Sequence, residues 1–308
     1  LKALLLFVAS LYCCSSVLCP TIVKAEPPLF VGVIEDVEPG NLSPAMSSVH
    51  ARVAFQKQGA DWVPMKSDFD NQEALAHADG YFPATVNWTV VFDGKRIGTI
   101  TSRNPGPPQG YGDVGTQIIT SVTTDIPRIA AGASEFYYTG FRAKSRPLLL
   151  VSLPNFKDPE GWRPAALSVA ERALAVREFR RKILALEQCK MPEDPSARMV
   201  PYSDHEILVI KAYRSRNGEV LFGQKLDDTR SGCEFFDDKN FFDYWFVANE
   251  KQVIRFLGSQ MTPIDSADLD NNGGSEWVFK TFRGEDEDGY DLFYDNFIKK
   301  AAFHWTYH

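Results

Sequence analysis

Residues 85–101 read TVNWTVVF-DG-KRIGTIT, two β-branched and aromatic runs joined by Asp93-Gly94. An Asp-Gly pair accepts the positive φ angles of a two-residue turn, and that turn has the twist of the strands flanking it. The stretch therefore predicts an antiparallel hairpin from Thr85 to Phe92 and Arg96 to Thr101. Working outward, Phe30 to Val37 is a short apolar run, and Val49 to Phe55 alternates. A Gln58-Gly59-Ala60 turn leads into Trp62 to Met65, and Pro147 to Leu153 is a further apolar strand. Asn104 to Gly112 is too rich in Pro and Gly for regular structure. Residues 26–163 are thus expected to form an antiparallel, β-rich N-terminal part.

A different period follows. Pro164 suits a first helical position, and no later Pro or Gly occurs through Gln188. Leu167, Ala170, Leu174, Phe179, Ile183 and Leu186 recur near helical spacing with basic residues between them. This predicts one long amphipathic helix over 164–190 that packs on a core. Three prolines make Met191 to Pro201 a linker. Residues 191–308 then read as a β-meander: Ile207–Tyr213, Glu219–Phe222, Phe242–Val247, Gln252–Leu257, Trp277–Phe282, Tyr290–Tyr294 and Ala301–Tyr307. The fold class expected is mostly β (α+β).

The first 25 residues read as an export signal and are set apart from the fold. Lys2 is a sparse basic region, Ala3 to Leu18 is uncharged, and Val23-Lys24-Ala25 offers small residues at a cleavage site before Glu26. The apolar run is shorter than the roughly 20 residues of a spanning helix. Periplasmic or secreted localisation is expected, with no transmembrane segment after cleavage. The chain carries 33 Lys+Arg against 40 Asp+Glu, and an acidic surface repels phosphate backbones, so nucleic acid is set aside as a partner. Three of five cysteines fall in the leader. Cys189 and Cys233 remain, and in an oxidising compartment they read as one disulfide, the other reading being two separate buried thiols.

One loop carries chemistry. Asp268-Leu-Asp270-Asn-Asn272-Gly273-Gly274-Ser-Glu276 places oxygen donors at alternating positions of a turn, as calcium requires. The candidate ligands are Asp268, Asp270, Asn272, the Gly274 carbonyl and Glu276. Position 12 is Phe279 where an EF-hand needs Glu, and Trp277-Val278-Phe279 is a strand, so an EF-hand is excluded. A DxDxDG-type loop running into an apolar strand resembles the FG-GAP or VCBS units of integrin-like propellers. That resemblance covers Ile264 to Tyr294 and implies a structural calcium. A full propeller needs several such loops. Asp68-Phe69-Asp70-Asn71-Gln72 begins similarly but has Glu73 where Gly is needed. The C-terminal half also resembles uncharacterised exported bacterial proteins carrying this loop, which implies no activity.

Other signals are weaker. The chain has no G-x-S-x-G, H-E-x-x-H, P-loop or dinucleotide-binding glycine pattern. His304 and His308 read as solvated, and Glu285-Asp286-Glu287-Asp288 as an exposed hairpin loop. The aromatic cluster from Phe235 to Phe246 reads as core. The function expected is a non-enzymatic binding or envelope-associated module with an unidentified protein or carbohydrate partner. The alternative is a secreted hydrolase acting on a polysaccharide or peptide.

Overall fold

The hairpin forms as its sequence dictates. In this computed structural model β4 (Thr85–Phe92) turns at Asp93 (φ 52°) and Gly94 (φ 64°) into β5 (Lys95–Arg103). The structure describes residues 27–36, 49–122, 125–132, 135, 137, 145–184, 187–189, 199–227, 243–282 and 287–306. The leader, Cys233, His308 and the stretch Phe235 to Phe242 lie outside the described residues, as does the side chain of Cys189.

Around this hairpin the N-terminal strands close a ring. β1 (Phe30–Asp36), β2 (Val49–Gln58), β6 (Thr116–Val122) and β7 (Leu148–Val151) join it in the order β1-β7-β4-β5-β6-β2, and β2 pairs back onto β1. The result is a closed six-stranded antiparallel barrel, with β3 (Asp61–Pro64) appended to β2. Closure leaves no free edge among the ring strands. Side chains alternate across β1. Gly32, Ile34 and Asp36 point into the barrel, where a Cβ on Gly32 would lie 3.2 Å from the Trp88 ring. Val33 and Glu35 point outward.

The outward face of β1 and β2 is covered by a second layer. β15 (Met261–Ala267), β16 (Glu276–Phe282), β17 (Glu287–Tyr294) and β18 (Lys299–Thr306) form a four-stranded meander. Val278, Tyr290, Leu292, Phe303 and Trp305 share one apolar core with the barrel. Alternate residues of the same strands, Trp277, Phe279 and Phe293, pack the other way with Leu221, Trp245 and Val247. Those belong to a five-stranded sheet of β8 (Arg163–Pro164), β11 (Ile207–Arg214), β12 (Val220–Leu226), β13 (Tyr244–Ala248) and β14 (Ile254–Ser259). On its far side Phe222, Tyr244 and Phe246 receive Phe179 of a helix. β9 (Glu187–Cys189) and β10 (Met199–Pro201) make a small separate pair. Barrel, sheet, sheet and helix thus stack as four layers, with the two open sheets burying apolar side chains on both faces.

The structure corrects several expectations. The helix spans Val169–Lys182 rather than 164–190, because Arg163 and Pro164 pair with β11 and Ser168 starts the helix. Ser168 and Glu171 form a reciprocal cap, satisfying two backbone N–H groups that a helix start leaves open. Its buried residues are Ala175, Val176 and Phe179, while Ala170 is exposed. The boundary at 191 does not separate the packing, since β15–β18 share the barrel's core. Pro201, read as linker, lies in β10. Asp68 to Gln72 leads into the short helix Gln72–Leu75, with Asn71 capping Ala74 N–H at 2.9 Å. Asp288, read as exposed, is fully buried 3.2 Å from Lys280. His304, read as solvated, lies 3.1 Å from both Glu287 and Asp291.

The seam between barrel and meander is polar at its centre. Glu35 accepts from His50 Nε2 at 2.5 Å, from Arg52 Nε and Nη2 at 3.0 Å, and from the Tyr290 hydroxyl. The Arg52 guanidinium lies 4.0 Å over Trp305. Burial alone would raise the Glu35 carboxyl, but Arg52 and His50 outweigh it and hold it well below the usual range. Removing one partner of such a set leaves a buried charge uncompensated, at about 3–5 kcal/mol. Glu35→Gln is expected to cost that much in urea unfolding, and Glu35→Met with Arg52→Met together to cost less than Glu35→Gln alone. A loss under about 1 kcal/mol for Glu35→Gln would show that the set does not hold the seam.

Candidate metal centre

The loop joining β15 to β16 sits at the edge of that seam. Its conformation is local in origin. Asn271 (φ 58°) and Gly273 (φ 99°) take the left-handed region, which Asn and Gly reach most readily. Asp270 Oδ1 accepts from Asn272 N–H at 3.1 Å and Asn272 Oδ1 from Gly274 N–H at 2.8 Å. Two successive side-chain turns of this kind fold the backbone tightly. Asp268 Oδ2 accepts from Gly273 N–H at 3.0 Å and Glu276 Oε2 from Leu269 N–H at 2.7 Å, drawing the two ends together.

Three carboxylates converge as a result. Asp268, Asp270 and Glu276 each bring an oxygen within 4.8 Å of the others. Asp268 and Glu276 are buried, at 3% and 2% exposure. The second oxygen of Asp268, Oδ1, is buried with no hydrogen-bond partner. Asn272 is exposed, and its side-chain oxygen accepts from the Gly274 N–H. Burial, then the charge of Asp270, pushes the Glu276 carboxyl up to about 8. Burial likewise raises Asp268.

The rest of the molecule grips this loop through residues that sequence reading passed over. Lys57 of β2 pairs with Asp270 Oδ2, and its ammonium lies 4.9 Å over the Trp62 ring. Ser275 donates from its N–H to Glu160 at 3.1 Å and from its hydroxyl to Asp158 at 2.8 Å. Asn271 reaches the Asn155 carbonyl at 3.3 Å, and the backbones of Asp268 and Lys157 pair in an isolated antiparallel β-bridge. Local pattern could not find these partners, which lie over 100 residues away in the chain. Residues 155–160 had only the signal of a polar, Pro-containing turn.

A hard cation fits this donor set. Buried, mutually repelling carboxylate oxygens with one orphan lone-pair carrier suit calcium, which takes oxygen ligands in flexible geometry. Compared with protein-family models, curated proteins and solved structures, the chain matches none.

Glu276 makes the metal-free protein pH-sensitive. Its folded value is raised from 4.5 to about 8, so the folded state binds a proton that the unfolded state has already lost. That contribution to stability is complete below the unfolded value and is lost as pH rises through about 8. With a chelator present, the melting temperature should therefore fall between about pH 5 and about pH 8. Glu276→Gln should flatten that slope. An unchanged slope in the variant would place the titrating group elsewhere.

Proposed function

We propose that this chain is an exported, non-enzymatic binding or envelope-associated module whose Asp268–Glu276 loop takes one structural calcium ion. The observation carrying the reading is the convergence of Asp268, Asp270 and Glu276 together with the buried, unpartnered Asp268 Oδ1. Asn272 and the Gly274 carbonyl complete the oxygen set in the FG-GAP-like pattern, and the ion replaces carboxylate repulsion with attraction. Because Lys57, Asp158 and Glu160 hold the same loop, a bound ion stiffens the joint between barrel and meander and not merely the turn. Export is supported by the leader-like residues 1–25. No helix among the described residues is long and apolar enough to cross a membrane.

A ligand that binds only the native state stabilises by RT ln(1 + [L]/Kd), about 2.7 kcal/mol at one hundred times Kd. Millimolar calcium should raise the melting temperature, and magnesium should do less because it keeps its waters and demands octahedral geometry. Asp270→Asn should abolish the calcium shift while leaving the metal-free fold largely intact. The protein is taken from the exported fraction, where Glu26 is the expected first residue. Equal calcium shifts in wild type and Asp270→Asn would reduce the loop to a turn. Recovery only from the cytosol with Leu1 intact would remove export from the reading.

A further inference from the structure

The barrel closes on itself, but the meander does not. β18 pairs with β17 and with no other described strand. An open edge presents a row of unpaired N–H and C=O groups, a template on which another chain can pair. The other open edges of the described sheets carry devices that prevent this. β15 holds Pro263 with a bulge beside it, and β14 bulges at Leu257. β3 has four residues, β8 two, and β9 and β10 three each. β18 runs eight residues in unbroken register, with Lys299 and Lys300 confined to its first two positions.

A cavity of about 710 Å³ lies along that edge. Its position follows from side-chain alternation. Ala302, His304 and Thr306 point to one face of β18 and Trp305 to the other, yet all four line the cavity. Only a space at the strand's edge touches both faces. Its far wall is residues 64–70, the segment that leaves β3. The rim is acidic. Asp68, with 95% of its side chain exposed, Asp70 and Glu287 line it. Its two basic groups already face carboxylates: Lys66 lies 3.4 Å from Asp68, and His304 3.1 Å from both Glu287 and Asp291. A second copy of this chain pairing edge to edge would set one acidic rim against another.

We propose that β18 receives an extended, basic segment of another protein as a fifth strand of the meander. Main-chain hydrogen bonds to the free edge hold the segment, and its Lys or Arg side chains meet Asp68, Asp70 and Glu287. The proposal rests on the reading of the chain as a binding module and names the surface that binds. The cavity shares no lining residue with the calcium-type loop, so the two assignments fail separately.

The test titrates the full chain calorimetrically, in chelator, with three capped octapeptides. The first alternates Lys with Val or Thr, the second has Glu in place of Lys, and the third is the Lys peptide with its two central residues replaced by proline. Saturable binding of the Lys peptide is expected, at least tenfold tighter than either of the others. It should slow amide exchange at alternate residues of 301–305 and leave β14 unchanged. Asp68→Lys with Asp70→Lys, both at exposed positions, should weaken the Lys peptide at least tenfold while the circular dichroism stays that of the wild type. Absence of saturable binding, equal binding of the Glu or proline peptide, undiminished binding in the double variant, or binding without protection of residues 301–305 would each overturn the assignment. A concentration-dependent dimer that excludes the Lys peptide would give the edge to a second copy and overturn it as well.

Discussion

The Glu35 carboxylate is the constraint on which this architecture turns. It sits on the outer face of a barrel strand, fully desolvated, and survives there because His50, Arg52 and Tyr290 surround it. Two of those partners come from the neighbouring barrel strand and one from the meander. His50 and Arg52 pair both carboxylate oxygens from within the barrel. Docking of β17 adds the Tyr290 hydroxyl and covers the set, while apolar contact supplies the driving force. Lys280 and Asp288 repeat the arrangement from the meander's side, with Lys280 lying 4.3 Å over Trp305. Such buried sets contribute little net stability against an apolar alternative, but they penalise every misaligned docking. Register between the layers is the property they fix.

The loop at residues 268–276 follows from that register. Glu276 and Lys280 lie on the same side of β16, four residues apart, so seating Lys280 in the seam also aims Glu276 at the barrel's edge. There Lys57 from β2 meets Asp270, and Asp158 and Glu160 hold Ser275. The loop is consequently part of the joint between layers. A cation there would tie residues of the barrel, the connecting segment and the meander through one cluster of oxygens.

Much of the fold was legible because it is local. Asp93-Gly94 announced its hairpin, and the runs at Phe30, Val49, Ile207, Tyr244 and Trp277 announced strands. The loop ligands were legible too, since alternating Asp and Asn residues with glycines describe one tight turn. The helix start was written in Ser168 and Glu171 but was outweighed by Pro164, which serves as a strand residue opposite Tyr213. What could not be read is what closes over long distance. β1 pairs with both β2 and β7, and neither partner announces the ring. β15 was missed because Pro263 interrupts it, and Pro is tolerated there because β15 is an edge strand. Asp288 and His304 read as solvent-facing because charge usually is. Their burial depends on Lys280 and Asp291, partners that no short-range pattern reveals.

Amide hydrogen exchange shows directly whether the loop joins the layers. Exchange is compared with calcium and with chelator in wild type and in Asp268→Asn. Calcium is expected to slow exchange at residues 268–278 and also at residues 155–160 and around Lys57, and Asp268→Asn to lose all three effects. Protection confined to the loop itself, or no protection at all, would contradict it.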